Sequence, residues 1–274
     1  MATELNAVPQ SDHFRLALDP ASVVTAYAAH RRRFASSVAT LDERALRSPS
    51  RCSEWSVADV LRHGCDVDRW MRTIWAGELP FNAFDPRVTP HEEVVQGRSA
   101  PDAEVRDRYV VSAQEMATEV DGAGPERWGL PSVSYAGFVP WWQALLHVLF
   151  DSWVHERDAL LPLGLPVDEL DDEITAVLAY SLALVPYADR RFGGDEPLDA
   201  VVCGIRVTAT PGPVVVVPVA AGESPSGALP TLTGDPPRVI DALSGRGNLD
   251  EVLTGDREVI QHLGFFARYL TTAA

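Results

Sequence analysis

Three titratable residues, His147, Asp151 and His155, follow one another at spacings of four in the otherwise apolar segment HVLFDSWVHERD. Because four residues make about one turn of an α-helix, their side chains would lie along one stripe of the helix surface. A neutral imidazole and an ionised carboxylate one turn apart can bind the same divalent cation, such as Zn²⁺. The segment therefore predicts either a metal site or a local hydrogen-bonded pair. His147 is either a ligand in place of Asp151 or a partner that orients the ligands.

A third candidate ligand lies on a second predicted helix. Ser56 followed three residues later by Asp59 is typical of a capping box at a helix N-terminus, and this helix would run to about Ala76. Its inward stripe includes His63. Three protein ligands leave one coordination position open, which is the pattern of catalytic rather than structural zinc sites. Spacing alone does not show that the two helices face each other, so His63 is either a ligand or a hydrogen-bonded core histidine.

The residue pattern predicts an α+β chain, with an all-helical domain over residues 1–193 and a smaller α/β domain over residues 194–274. Helices are expected at about 20–41, 56–76, 101–120, 139–161, 167–191, 236–245 and 255–270. Short β-branched runs typical of strands occupy 200–210, 213–221 and 228–234. Residues 79–90 and 122–131, which are rich in proline or glycine, are predicted to be loops.

Composition excludes several classes of partner. The formal net charge is −16 and all 23 basic residues are arginine, so the chain should repel nucleic-acid phosphates. The basic run Arg31–Arg33 on the first helix is interpreted as a solvated face. The sequence contains no stretch of about 20 apolar residues, so we expect no membrane span. The N-terminus has no signal-peptide pattern. We expect a cytoplasmic monomer or homodimer that acts on small molecules.

The three cysteines, Cys52, Cys65 and Cys203, are odd in number and far apart, which indicates free thiols in a reducing compartment. None is a strong candidate for a nucleophile. Cys65 is two positions after the candidate ligand His63, so it would point about 200° away around the helix. Cys203 falls in a predicted strand, and Cys52 is interpreted as a packed loop residue.

Two segments resemble the mycothiol-dependent maleylpyruvate isomerase family of the DinB-like superfamily. In SPSRCSEWSVADVLRHG the matching residues are Cys52, Trp55, Ser56, Val57, Asp59, Leu61 and His63; in DSWVHERDALLPLG they are Asp151, His155, Asp158, Leu163 and Gly164. In the C-terminal part, LTGDPPRVIDALSGRG and a later LTGD resemble signatures of the family's second domain. The resemblance covers essentially the whole chain after residue 18.

This resemblance implies a first domain like a four-helix bundle, with one metal ion, usually zinc, bound by His63, Asp151 and His155. Two residues depart from the family. Glutamate is more common where Asp151 stands, so the shorter side chain would require a closer helix or a bridging water. Gly64 replaces a residue that is usually apolar, which lowers helix propensity by roughly 1 kcal/mol or opens room beside the metal.

The resemblance also implies mycothiol as a thiol cosubstrate. A thiol bound to Zn²⁺ loses its proton at neutral pH, and the resulting thiolate could attack an electrophilic carbon. If the sulfur stays on the product the reaction is S-transfer, and if it leaves after bond rotation the reaction is cis–trans isomerisation. The residues do not decide between these outcomes, nor do they identify the electrophile.

Two charged residues have open roles in this scheme. Arg246, in Ser244-Gly245-Arg246-Gly247, is the candidate catalytic residue that binds a substrate carboxylate; the alternative is an ion pair that pins the loop. Asp158 either orients a ligand histidine or forms a surface ion pair, and we favour the structural role. Two other functions remain as alternatives: a non-catalytic small-ligand-binding protein of the same fold, and a metal-dependent hydrolase.

Overall fold

The computed structural model describes residues 18–78, 88–134, 137–192, 205–208, 214–217, 231–255, 257, 260–261 and 263–264. The helices are α1 (Pro20–Val38), α2 (Glu43–Leu46), α3 (Val57–Trp75), α4 (Thr89–Gly97), α5 (Asp102–Asp121), α6 (Pro125–Trp128), α7 (Trp141–Leu160), α8 (Asp171–Phe192), α9 (Pro236–Leu243) and α10 (Leu249–Val252), with a 3₁₀ turn over Leu161–Leu163. The strands are β1 (Pro131–Ser134), β2 (Gly137–Pro140), β3 (Ile205–Thr208), β4 (Val214–Val217), β5 (Thr231–Gly234) and β6 (Leu253–Thr254). This order confirms the predicted α+β class.

Helices α1, α3, α5 and α7 form the expected four-helix bundle, in which α1 and α3 each pack against both α5 and α7. Helix α8 covers α1 and α7. Fully buried side chains fill the centre, among them Tyr27, Leu61, Met116 and Trp153. Burial of such apolar surface is the main source of stability for a bundle. In the described part of the chain, no helix combines the length and the apolar character needed to span a membrane.

The capping box predicted at the start of α3 is confirmed. The Ser56 hydroxyl accepts a hydrogen bond from the backbone N–H of Asp59 at 3.2 Å, and the Asp59 carboxylate accepts one from the N–H of Ser56 at 3.1 Å. Arg62 and Arg98 also donate to this carboxylate. These bonds fix the first turn of α3, and His63 follows about two turns later on the same helix.

Two elements lie mostly where the sequence pattern predicted neither a helix nor a strand, just after the predicted loops. Helix α4 begins with a proline in its first turn, a common start signal, but Val94 is its one buried apolar residue, so its periodicity is weak. Strands β1 and β2 form an antiparallel hairpin of four residues each, with Val133 paired to Phe138. Elements this short contain too few residues for an apolar period to be recognised.

The C-terminal strands form a four-stranded sheet in the order β4-β3-β5-β6. Strand β3 is antiparallel to β4 and parallel to β5, and β5 is antiparallel to β6. Helix α9 and strand β4 pack against α8 of the helical part. The predicted domain boundary at 193 lies in residues 193–204, outside the described ranges, and the predicted final helix is described at residues 257, 260–261 and 263–264.

The basic run on α1 is not the solvated face that the sequence suggested. Arg31 is 1% exposed and donates a 2.6 Å hydrogen bond to the buried carboxylate of Asp68. Arg33 binds both carboxylate oxygens of Glu173 at 2.7 Å. Arg32 is the member of the run whose side chain is half exposed. Helix α1 therefore presents two of its three arginines to partners inside the fold.

Gly64 follows the candidate ligand His63 and faces the ring of Tyr109. A Cβ atom at Gly64 would lie 2.6 Å from Tyr109 Cε2, which is closer than real Cβ contacts allow. The room that this glycine provides is thus occupied by Tyr109, which is 1% exposed and accepts a hydrogen bond from Arg31. The tyrosine ring, rather than space beside a metal, explains the glycine.

Gly64→Ala should therefore lower the free energy of unfolding. Alanine gains about 1 kcal/mol in helix propensity, but overpacking a buried site costs about 1–3 kcal/mol, so we expect a net loss of roughly 1 kcal/mol. Urea unfolding would measure it. Gly129→Ala is the matched control, since a Cβ there meets no atom within 4 Å, and its free energy should stay within about 0.5 kcal/mol. A Gly64 variant that is more stable than the native protein would contradict the packing explanation.

Candidate metal centre

Helices α3 and α7 bring the three predicted ligands together inside the bundle. His63 Nε2 lies 3.2 Å from Asp151 Oδ1, and His155 Nε2 lies 3.5 Å from the same oxygen. One ligand atom from each residue lies within 4.8 Å of the other two. We call His63, Asp151 and His155 the first ligand group. Two imidazoles and one carboxylate are a donor set that suits Zn²⁺.

The shorter side chain of Asp151 reaches both histidines directly. Its Oδ1 atom lies between the two Nε2 atoms at the distances given above. The two imidazole rings have their centroids 4.9 Å apart and are inclined by 75°. Their nitrogens therefore approach one carboxylate oxygen from different directions, as ligands around a single ion do.

The pKa values of Asp151 and His155 depend on each other's charge. Burial opposes ionisation of Asp151, but His63 and His155 outweigh it and hold the pKa of the carboxyl well below its usual range. Burial also opposes protonation of His155, but Asp151 and Asp158 prevail and hold the pKa of this imidazole well above its usual range. Without a metal ion, a proton on His155 therefore neutralises Asp151.

Asp158 supports His155 from the other side of the ring. Its Oδ2 lies 3.0 Å from His155 Nδ1, and the residue is fully buried. The interpretation of Asp158 as part of a surface ion pair is therefore wrong. A carboxylate on one imidazole nitrogen directs the lone pair of the neutral ring to the other nitrogen, which here is the one facing Asp151.

The aromatic ring of Trp55 lies beside the first ligand group. The Trp55 ring lies 5.4 Å from the ring of His63 and 6.1 Å from that of His155, measured between centroids. Its indole N–H donates to His91 Nδ1 on α4 at 3.4 Å. His91 was not among the predicted site residues, because the residue pattern did not predict α4.

His147 lies one turn before Asp151, but in the described part of the chain it is not part of the first ligand group or of any other cluster of possible ligands. Its Nδ1 lies 2.9 Å from the hydroxyl of Tyr180 on α8. Burial lowers the pKa of His147, so its neutral form is favoured. This placement favours the alternative in which His147 supports the site rather than ligating the ion.

Cys52, His155 Nδ1 and Asp158 form a second ligand group on the far side of His155. The Cys52 thiol donates to Asp158 Oδ2 at 3.1 Å, and its sulfur lies 3.8 Å from His155 Nδ1. Cys65 belongs to neither group, and burial raises the pKa of its thiol to about 11. Cys203 lies outside the described residues.

Arg246 enters this second ligand group from the turn after α9. Gly245 has φ 80°, in the left-handed region that favours glycine, and the turn brings the arginine back towards α7. Its Nη2 donates to Asp158 Oδ2 at 2.7 Å and to Cys52 Sγ at 3.3 Å. Its Nε donates to Asp158 Oδ1 at 3.2 Å, and its Nη1 donates to the carbonyl of Ser244. The ion pair that the sequence left as an alternative is therefore present.

The chain resembles known proteins in part of its sequence and in its fold. Residues 27–160, which include all of the first ligand group, match the model of the mycothiol maleylpyruvate isomerase N-terminal domain. The crystal structure of the mycothiol-dependent maleylpyruvate isomerase is similar over 90% of this chain and 96% of that chain, with a TM-score of 0.58 and 16% identity.

A crystal structure of a histidine-to-alanine mutant of that enzyme has the same coverage, with a TM-score of 0.54 and 17% identity. At these identities the likeness establishes a shared fold. No curated protein matches the chain by its sequence. Residues 27–160 are therefore similar to the mycothiol maleylpyruvate isomerase N-terminal domain.

Proposed function

We propose that this protein is a metal-dependent enzyme that uses mycothiol to transfer sulfur to, or to isomerise, an electrophilic small molecule. The observation that carries the proposal is the convergence of His63 Nε2 and His155 Nε2 on one oxygen of Asp151. These residues fit a divalent cation such as Zn²⁺, because two imidazole nitrogens and a carboxylate oxygen point at one place. The similarity of residues 27–160 to the mycothiol maleylpyruvate isomerase N-terminal domain supports mycothiol as the thiol.

When bound, the metal ion supplies a positive charge that lowers the pKa of the mycothiol sulfur and makes it a nucleophile at neutral pH. His63, Asp151 and His155 would hold the ion through three protein atoms, which would leave it able to bind this sulfur as a further ligand. Asp158 keeps the proton of His155 on Nδ1, so that Nε2 remains a ligand. The Trp55 ring shields one side of the group from water.

The role proposed for Arg246 follows from its contacts. Its guanidinium is held by Asp158, Cys52 and the Ser244 carbonyl, so a substrate carboxylate would have to share it with Asp158. The contacts favour a contribution to the reaction through His155 and Asp158. A direct contact with substrate predicts that Arg246→Lys raises KM, whereas support of His155 predicts a lower kcat with KM unchanged.

The experiment that tests the function uses the zinc-loaded protein with mycothiol and maleylpyruvate. Mass spectrometry would detect a mycothiol adduct, and liquid chromatography would separate the cis and trans forms of the product. Conversion that requires both zinc and mycothiol supports the proposal. Conversion with zinc alone would indicate that the site activates water, and a protein that binds no zinc would indicate a small-ligand binder.

Zinc binding at the first ligand group should strengthen as the pH rises. Because Asp151 and Asp158 raise the pKa of His155 above its ordinary value of 6.5, a cation must displace a proton below that raised pKa, and each pH unit costs about tenfold in affinity. The same proton stabilises the metal-free fold below pH 6.5, and this stabilisation is lost as the pH rises through the raised pKa.

The gain in melting temperature on adding zinc should therefore increase between about pH 6 and about pH 8. Differential scanning fluorimetry in a series of non-chelating buffers would measure it, with the metal-free protein as the reference at each pH. A gain that does not change with pH would show that no proton leaves the site when zinc binds.

A further inference from the structure

His155 presents a separate set of possible ligands to each of its ring nitrogens. Its Nε2 faces the first ligand group, where Asp151 Oδ1 lies 3.5 Å away. Its Nδ1 faces the second ligand group, where Asp158 Oδ2 lies 3.0 Å away and Cys52 Sγ 3.8 Å away. A neutral imidazole has one nitrogen with a free lone pair, so the two groups compete for His155.

The second ligand group has dimensions that suit a metal ion. With bonds of about 2.0–2.3 Å, neighbouring ligands of a tetrahedral ion lie roughly 3.3–3.7 Å apart. The three donor atoms of Cys52, His155 and Asp158 are separated by 3.0–3.8 Å. A thiolate in the set would favour zinc or cobalt over harder cations.

The guanidinium of Arg246 stands where such an ion would bind. Its Nη2 contacts both the sulfur of Cys52 and Oδ2 of Asp158. Arginine keeps its charge at any physiological pH, so this cation cannot be lost by titration. Arg51 also approaches Asp158, but its Nε is 3.7 Å from Oδ1, and its Nη2 binds Asp241 instead. The second ligand group is therefore filled by one tethered positive charge.

We propose that Arg246 blocks a latent metal site formed by Cys52, His155 and Asp158, and thereby directs a divalent ion to the opposite nitrogen of His155. The first half of this inference stands on the second ligand group alone, and the second half rests on the proposed function. Removing the guanidinium frees the three donors. A metal ion that binds there displaces two protons to solvent, one from the Cys52 thiol and one from Nδ1 of the protonated His155. The remaining proton of the imidazole stays on Nε2, which removes His155 from the first ligand group.

Titration with Co²⁺ distinguishes the two groups, because a cobalt–thiolate bond has a near-ultraviolet charge-transfer band and bonds to imidazole and carboxylate do not. The native protein should bind Co²⁺ with visible bands and without the thiolate band. Arg246→Ala should gain the thiolate band, at the intensity of one sulfur ligand per bound ion. Arg246→Gln, which is less disruptive to packing, should gain it too if the alanine variant does not fold.

Three control variants test separately the positive charge at position 246, the sulfur of Cys52 and the packing around α9. Arg246→Lys keeps a positive charge and should retain the native spectrum. Adding Cys52→Ser to the Arg246→Ala variant should abolish the new band. Asp241→Asn removes the negative charge that pairs with Arg51 and Arg157, but its side chain belongs to neither ligand group, so it should leave the native spectrum unchanged.

The outcomes of the inference and of the proposed function are distinct. A native protein that binds no Co²⁺, with an Arg246→Ala variant that gains the thiolate band, would overturn the proposed metal centre and support the latent site. A thiolate band in the native protein would overturn the inference, because Arg246 would then not block Cys52. Native and Arg246→Ala spectra without the band, or a band that persists after Cys52→Ser, would overturn it as well.

Discussion

His63→Ala is expected to weaken zinc binding about a hundredfold and to abolish mycothiol-dependent turnover. Zinc sites with four ligands bind with roughly 10–16 kcal/mol, so one ligand contributes about 3 kcal/mol, which corresponds to about a hundredfold in Kd. The loss should be concentrated in binding, since His63 is the ligand that α3 supplies and Asp151 and His155 both lie on α7. Competition with a chromophoric chelator would measure the zinc Kd.

His91→Ala is the matched control for this prediction. His91 contacts the same tryptophan, Trp55, but belongs to neither ligand group. Its removal should leave the zinc Kd within about threefold of the native value, because a surface substitution of this kind changes free energies by about 0.5 kcal/mol. A His63 variant that keeps native zinc affinity and turnover would refute the ligand set.

Arg31→Met should lower the free energy of unfolding by about 3–5 kcal/mol, because it leaves the carboxylate of Asp68 buried without its ionic partner. Asp68 would keep the hydroxyl of Ser112 at 2.8 Å, which neutralises no charge. Arg31 also donates to Ser152 at 3.1 Å, so the change removes a second buried hydrogen bond. Urea unfolding, or a fall of roughly 10 °C in Tm, would show the effect.

Arg32→Met tests whether burial is the cause. Arg32 is the next residue on the same helix and pairs with Asp121 at 2.9 Å, but both side chains are about half exposed. Exposed pairs contribute 0.2–1 kcal/mol in typical cases, so this variant should differ from the native protein by about 0.5 kcal/mol. Equal decreases in the free energy of unfolding for the two variants would mean that the buried Arg31–Asp68 pair stabilises the fold no more than an exposed pair does.

The parts of the fold that the sequence predicted depend on local signals. Periodic apolar residues define α1, α3, α5 and α7, and the Ser56–Asp59 pair marks where α3 begins. The i, i+4 spacing places Asp151 and His155 on one face of α7. These features need no knowledge of distant residues, and the family resemblance supplied the partner His63 that spacing alone could not assign.

The parts that the sequence missed depend on partners far away in the chain. Arg31 appears solvated until Asp68 is placed beside it, 37 residues further on. Asp158 could be assigned to His155 by spacing, but its ionic partner Arg246 lies 88 residues later. A charged residue in a helix is usually exposed, so pattern reading assigns it to the surface unless its counter-ion is already known.

The sheet-bearing part of the chain and the helical bundle share one apolar interior. Side chains of β5 and α9, such as Leu232, Ile240 and Leu243, belong to the same buried cluster as Tyr27 and Trp153 of the bundle. A protein truncated after residue 193 would therefore expose an apolar face of the bundle to solvent, and it would be prone to self-association. A substitution that changes side-chain volume on one side of this shared interior is therefore expected to require a compensating substitution on the other side.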